Sequence, residues 1–117
     1  MAVSKLFRHP ATFPQVYNSA LDPVKVDPNH YRIEHENNRA RVVRVHYGPR
    51  ERSVMHAHPA SIAGFLTDGV FTFKYPDGKT EEVTCRAGEA QFFEAFEHLP
   101  ESKSDKPFEA ILIELKD

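Results

Sequence analysis

From Tyr31 onward the chain falls into short runs rich in Val, Ile, Phe and Tyr, broken roughly every ten residues by Gly, Pro, Asp or Asn. That rhythm leaves no room for long helices and predicts an all-β sandwich or barrel. Strands are expected at Tyr31 to His35, Arg41 to Tyr47, Val54 to His58, Ser61 to Thr67, Val70 to Tyr75, Glu81 to Cys85, Ala90 to Phe93 and Phe108 to Leu115. The firmest turn is Pro76-Asp77-Gly78, into which Phe71, Phe73 and Tyr75 alternate and from which Val83 and Cys85 run back.

Residues 1–29 differ in character. Pro10, Pro14, Pro23 and Pro28 break any periodicity, which predicts an extended, mostly irregular N-terminal arm ahead of one domain at 30–117. No heptad or long 3.6-residue period follows, so helix is confined to a turn or to this arm. With 117 residues the chain is the size of one domain.

Fifteen basic and 17 acidic residues give a net charge of −2, with no basic run interleaved with aromatics, so no nucleic-acid partner is expected. No apolar stretch approaches the roughly 20 residues that span a bilayer, and the start MAVSKLFRHP has no apolar signal region. No membrane association is expected. Cys85 is the only cysteine, which rules out an intramolecular disulfide and fits a reducing, cytoplasmic setting.

Chemistry concentrates at His56-Ala57-His58. In a strand, positions i and i+2 face the same side, roughly 7 Å apart at Cα, a spacing that suits a shared metal ion. Seven histidines in 117 residues would give roughly 0.4 such pairs by chance, so the context decides. Gly48 precedes the pair, Gly69 follows it, and forty residues after His58 the stretch from Gly88 ends in His98.

These residues resemble the two-part cupin signature, G-(x)5-H-x-H-(x)3-4-E-(x)6-G followed by G-(x)5-P-x-G-(x)2-H-(x)3-N. The resemblance covers about residues 28–117 and is closest to small bacterial stand-alone cupins, a mostly uncharacterised subgroup. It implies a jelly-roll β-barrel with a metal held inside by His56, His58 and His98. The chain departs from the pattern in having seven residues instead of five between Gly48 and His56, in Arg86 where the second part often has Pro, and at two further positions. The family's glutamate would fall at Ile62 or Ala63, and its asparagine at Ser102. The resemblance thus implies a ligand set of three neutral imidazoles for one divalent transition metal, Fe, Zn, Ni or Mn.

Around the histidines, Glu101 is expected as an orienting carboxylate or general base, because members of the subgroup commonly have a Glu three residues after this His. Glu94 and Glu97 are alternatives, and all three acidic residues fit solvated loop charges better than catalytic groups. Met55, Gln91, Phe93 and Phe96 are expected at the substrate pocket. His9, His30, His35 and His46 lack such spacing and fit surface or turn positions, and Arg50-Glu51-Arg52 an exposed loop. The resemblance implies a small-molecule substrate and dioxygenase-like oxidative chemistry. A non-catalytic binding module and a Zn- or Ni-dependent hydrolase or isomerase stand beside it. Unpaired edge strands predict a homodimer with the N-terminal arm packed on the neighbour.

Overall fold

The structure, a computed structural model, describes residues 17–116. The first sixteen residues of the expected arm lie outside that range. Nine antiparallel strands follow in chain order: β1 Tyr31–Glu36, β2 Ala40–Tyr47, β3 His56–His58, β4 Ser61–Phe65, β5 Gly69–Lys74, β6 Thr80–Cys85, β7 Ala90–Phe93, β8 Phe96–Ser102 and β9 Phe108–Leu115. They form two facing sheets, ordered β1-β2-β9-β4-β7 and β3-β8-β5-β6. The crossing connections make a jelly roll.

Alternation builds the core. On β2, Val43, Val45 and Tyr47 point inward; on β9, Phe108, Ala110 and Leu112; on β5, Phe71 and Phe73. The expected β5–β6 hairpin is present, and its register pairs Phe71 with Val83 and Gly69 with Cys85. Gly78 takes a φ of 88° at its turn, a left-handed conformation that glycine adopts without a Cβ penalty.

Three differences from the expected strands bear on function. The run from Val54 is shorter: Val54 is half exposed and the strand begins at His56. β4 stops at Phe65 instead of continuing to Thr67. Most consequential is β8, where a loop of acidic residues is expected and a strand is found. Its inward residues are Phe96, His98, Pro100 and Ser102, a buried face whose polar members hide the period-two pattern from a hydrophobicity reading.

Helix is confined to the lead-in among the described residues. A 3-10 turn, Ser19–Leu21, precedes one α-helical turn, α1, Pro23–Val26. Asn18 caps the first and Asp22 the second, each side chain accepting from a backbone amide two residues on, and Pro23 starts α1 where no N–H is needed. No helix among the described residues is long and apolar enough to cross a membrane.

Candidate metal centre

β3 and β8 are neighbours, and their register places His56 opposite His98. Period two then brings His58 to the same inner face. The three imidazoles meet inside the barrel, with ring centroids 4.8 Å apart for His56–His58, 4.8 Å for His56–His98 and 5.1 Å for His58–His98. All three are buried, and their ligand atoms lie within 4.8 Å of one another.

Two observations test whether this group fits an ion. His58 Nε2 and His98 Nε2 are 3.2 Å apart. Two nitrogens each about 2.1 Å from one ion, at ligand angles of about 90–110°, stand about 3.0–3.4 Å apart, so the spacing suits a shared ion. His56 Nδ1 lies 2.8 Å from the Val54 carbonyl, which can only accept. The proton is therefore on Nδ1, and the lone pair on Nε2, an atom buried with no hydrogen-bond partner among the described residues.

Burial, then the neighbouring His58, pushes His56 down from 6.5 to about 3, against the opposing bond to the Val54 carbonyl. A neutral imidazole is what a metal needs. The same shift sets acid sensitivity. Below pH 6.5 the unfolded chain takes up a proton that folded His56 refuses, so its contribution to stability is fully present above 6.5 and is lost as pH falls toward 3. Chelator-treated protein should lose stability from this residue throughout that window, on the order of 1–2 kcal/mol between pH 6.5 and 5.0, in urea unfolding. A flat profile there would contradict a His56 held neutral.

The lead-in braces His56 from behind. Ser53 Oγ lies 3.2 Å from His56 Nδ1 and donates to Asp27 Oδ2 in a short bond. Asp27 Oδ2 also faces His30 Nδ1 at 2.6 Å, while His30 Nε2 meets Glu51 at 3.0 Å and the ring stacks on Tyr47 at 4.3 Å. His30 is thus no free surface residue. A buried bond of 2.6 Å joins the Tyr31 and Tyr47 hydroxyls, and desolvation holds both phenols protonated, well above their ordinary range.

A cavity of about 80 Å³ opens beside the cluster. At about 10–15 Å³ per water-sized group it admits about five to eight non-hydrogen atoms. His58 and His98 reach its wall among Phe65, Phe71, Phe73, Phe96, Phe108, Leu112 and other mostly apolar side chains, and no Lys, Arg, Asp or Glu among the described residues lines it.

The expected pocket residues divide. Phe93 and Phe96 line the cavity, their rings stacked at 5.6 Å. Gln91 lies opposite Ala63 on the inner face of the sheet but is not on the cavity wall, and its Oε1 is buried without a hydrogen-bond partner among the described residues. Met55 lies just ahead of β3, partly exposed, and is not on the wall either.

Glu101 does not join the cluster. Three residues from His98 on a strand, it takes the opposite face, where it pairs with Lys103 at 3.6 Å; Glu97 is on that outer parity too. Of the two positions assigned to the missing glutamate, Ile62 points outward and Ala63 lines the cavity. His35 and His46 are exposed, and Arg50 forms a surface pair with Asp105.

One buried carboxylate escaped notice. Glu114, inward on β9 at 3% exposure, places Oε2 3.7 Å from His58 Nδ1. Its other oxygen accepts from Arg41 Nε at 2.8 Å, and Arg41 grips Asp22 with both terminal nitrogens. The signal was present in the sequence: Arg41 and Glu114 are charges in phase with the apolar residues of β2 and β9, and they are register partners.

No family model and no curated protein matches the chain. Solved structures do. A cupin domain from Bordetella pertussis Tohama I is similar at 22% identity over 74% of this chain and 92% of that one, with a TM-score of 0.69. A conserved protein with a double-stranded β-helix domain from Klebsiella pneumoniae is 16% identical over 74% and 76%, TM-score 0.58. A polyketide cyclase from Streptomyces resistomycificus is 20% identical over 74% and 64%, TM-score 0.53. These likenesses establish the fold.

Proposed function

On a cupin jelly roll with three imidazoles gathered inside it, we propose that the chain binds one divalent transition metal through His56, His58 and His98 and acts on a small, largely apolar molecule. The observation that carries this reading is the trio itself: three buried histidines from two paired strands, with two Nε2 atoms 3.2 Å apart. Once held there, a divalent ion would supply Lewis acidity and, if it is iron, one-electron redox chemistry.

The chain's own contribution is selection and exclusion. The phenylalanine walls keep water from the open side of the histidines and favour an apolar body of limited size. With no charged side chain on the wall among the described residues, a substrate's polar end has the metal, the imidazoles and the hydroxyls of Tyr31, Tyr47 and Ser61 to meet. Without a carboxylate at Ile62 or Ala63, three neutral ligands leave a dication at its full charge, which suits polarising a bound oxygen or sulfur atom.

Oxidative chemistry of the dioxygenase kind is the reading we favour, with Fe(II) as the metal. Iron-loaded protein is expected to consume O₂ when offered a member of a panel of small thiols and 1,3-diketones, and His98→Ala to stop it. Full iron occupancy without uptake for any of them would reject oxidation and favour a binding module or a non-redox hydrolase or isomerase. The fold serves many chemistries and does not choose between these.

We place a second copy of the chain against the five-stranded sheet. Val42, Ile113 and Ile62 stand in register across its outer face, and among the described residues β1 is an edge strand. Solution scattering should return twice the 13.4 kDa chain mass; a monomer at micromolar concentration would remove the dimer.

A further inference from the structure

The charge around Glu114 does not balance by itself. Asp22, Arg41 and Glu114 are at most 9% exposed, and two carboxylates share one guanidinium, so within this buried group of three one negative charge has no matching cation. A buried charge without a partner costs several kcal/mol. Asp22 fills the terminal fork of Arg41, and Glu114 Oε1 takes the Nε–H. Glu114 Oε2 remains, buried and without a hydrogen-bond partner among the described residues, 3.7 Å from His58 Nδ1, which is in the same condition.

At 3.7 Å this acceptor and ring nitrogen face each other in a dry interior just beyond hydrogen-bond reach, and a proton on the nitrogen with a small approach of the two side chains would join them. We infer that Glu114 is the positioning residue of the centre. It accepts from His58 Nδ1–H and so turns the Nε2 lone pair toward the metal. This rests on the three-histidine reading and extends it: the carboxylate missing from the ligand set at Ile62 or Ala63 acts one bond further out, from the last strand.

The arrangement treats the two strand-β3 ligands differently. His56 Nδ1 is held by a backbone carbonyl, His58 Nδ1 by a carboxylate that Arg41 and Asp22 anchor. A carboxylate behind an imidazole makes it a stronger ligand and restores negative charge near a dication. The net charge of the Asp22–Arg41–Glu114 group then has its counterpart in the ion.

Two readouts test this on zinc-loaded full-length chain: zinc affinity by competition with a chromophoric chelator, and the imidazole proton and nitrogen resonances by NMR. Glu114→Gln should weaken zinc binding about 10- to 100-fold and move the His58 Nδ1–H resonance upfield while that of His56 stays. Affinity within twofold of wild type with an unmoved His58 signal would overturn the assignment, as would ligation of His58 through Nδ1. If Glu114→Gln fails to fold, the wild-type spectrum decides: a His58 Nδ1–H no further downfield than that of His56 overturns it. Wild type that takes up no zinc removes the centre itself, and this role with it.

Discussion

Protein in which His98 is replaced by alanine is expected to lose stoichiometric metal. Wild-type chain purified without a histidine tag should carry about one transition-metal ion; His98→Ala should carry less than about a tenth of that. The reason is geometric. His98 alone supplies the ligand from β8, and its Nε2 is the atom 3.2 Å from that of His58. Without it, His56 and His58 remain as two ligands on one short strand. The loss should exceed the roughly 100-fold that outer-sphere changes cost. The β3–β8 ladder is made by backbone groups, so the far-UV signal of the fold should persist. His46→Ala, at an exposed position on β2, is the control and should leave metal content unchanged. Equal occupancy in wild type and His98→Ala would place the ion elsewhere.

The largest effect on stability is expected at Arg41. Removing its side chain in Arg41→Ala leaves Asp22 and Glu114 buried with no cation between them, and losing one partner of such a group costs about 3–5 kcal/mol. Burial alone would raise the Asp22 carboxyl, but the hydrogen bonds from Arg41 and the Val24 amide, with the Arg41 charge, outweigh it and hold the group below the usual carboxylate range. That depression contributes stability above the ordinary carboxylate pKa and loses it as pH falls through the folded value. In Arg41→Ala the depression disappears, so the gap between variant and wild type should narrow in acid. Denaturant unfolding at pH 7 and pH 4 measures both. A loss under about 1 kcal/mol at pH 7 would mean that the triad is solvated and that its charge needs no counterpart.

Asp22 also ties the lead-in to the barrel. It caps α1, and at the other end of α1 Asp27 reaches His56 through Ser53. The same short segment therefore stands behind both β3 ligands, on one side through Arg41 and Glu114, on the other through a serine. Loosening the lead-in should accordingly weaken metal affinity without touching a ligand.

The barrel was legible because turn residues recur at a strand's length and because most strands alternate apolar residues inward. β8 was not, for the reason that makes it useful: its buried positions hold His98, Pro100 and Ser102 where aliphatic residues would mark a strand. Glu101 is expected at the site from the resemblance alone, which carries no strand parity; on β8 the odd spacing from His98 sends it outside. Glu114 and Arg41 could have been found as charges in phase with a buried face. Asp27, Ser53 and His30 could not, since they meet only once α1 and the loop before β3 fold against each other.

Everything proposed for the site rests on three imidazoles sharing one ion, and X-ray absorption of the zinc-loaded protein at the metal edge tests that most directly. The account predicts one zinc per chain with three imidazole nitrogens at about 2.0–2.1 Å and loss of one of them, or of the ion, in His98→Ala. A shell with one imidazole or none, or a spectrum that His98→Ala leaves unchanged, would contradict it.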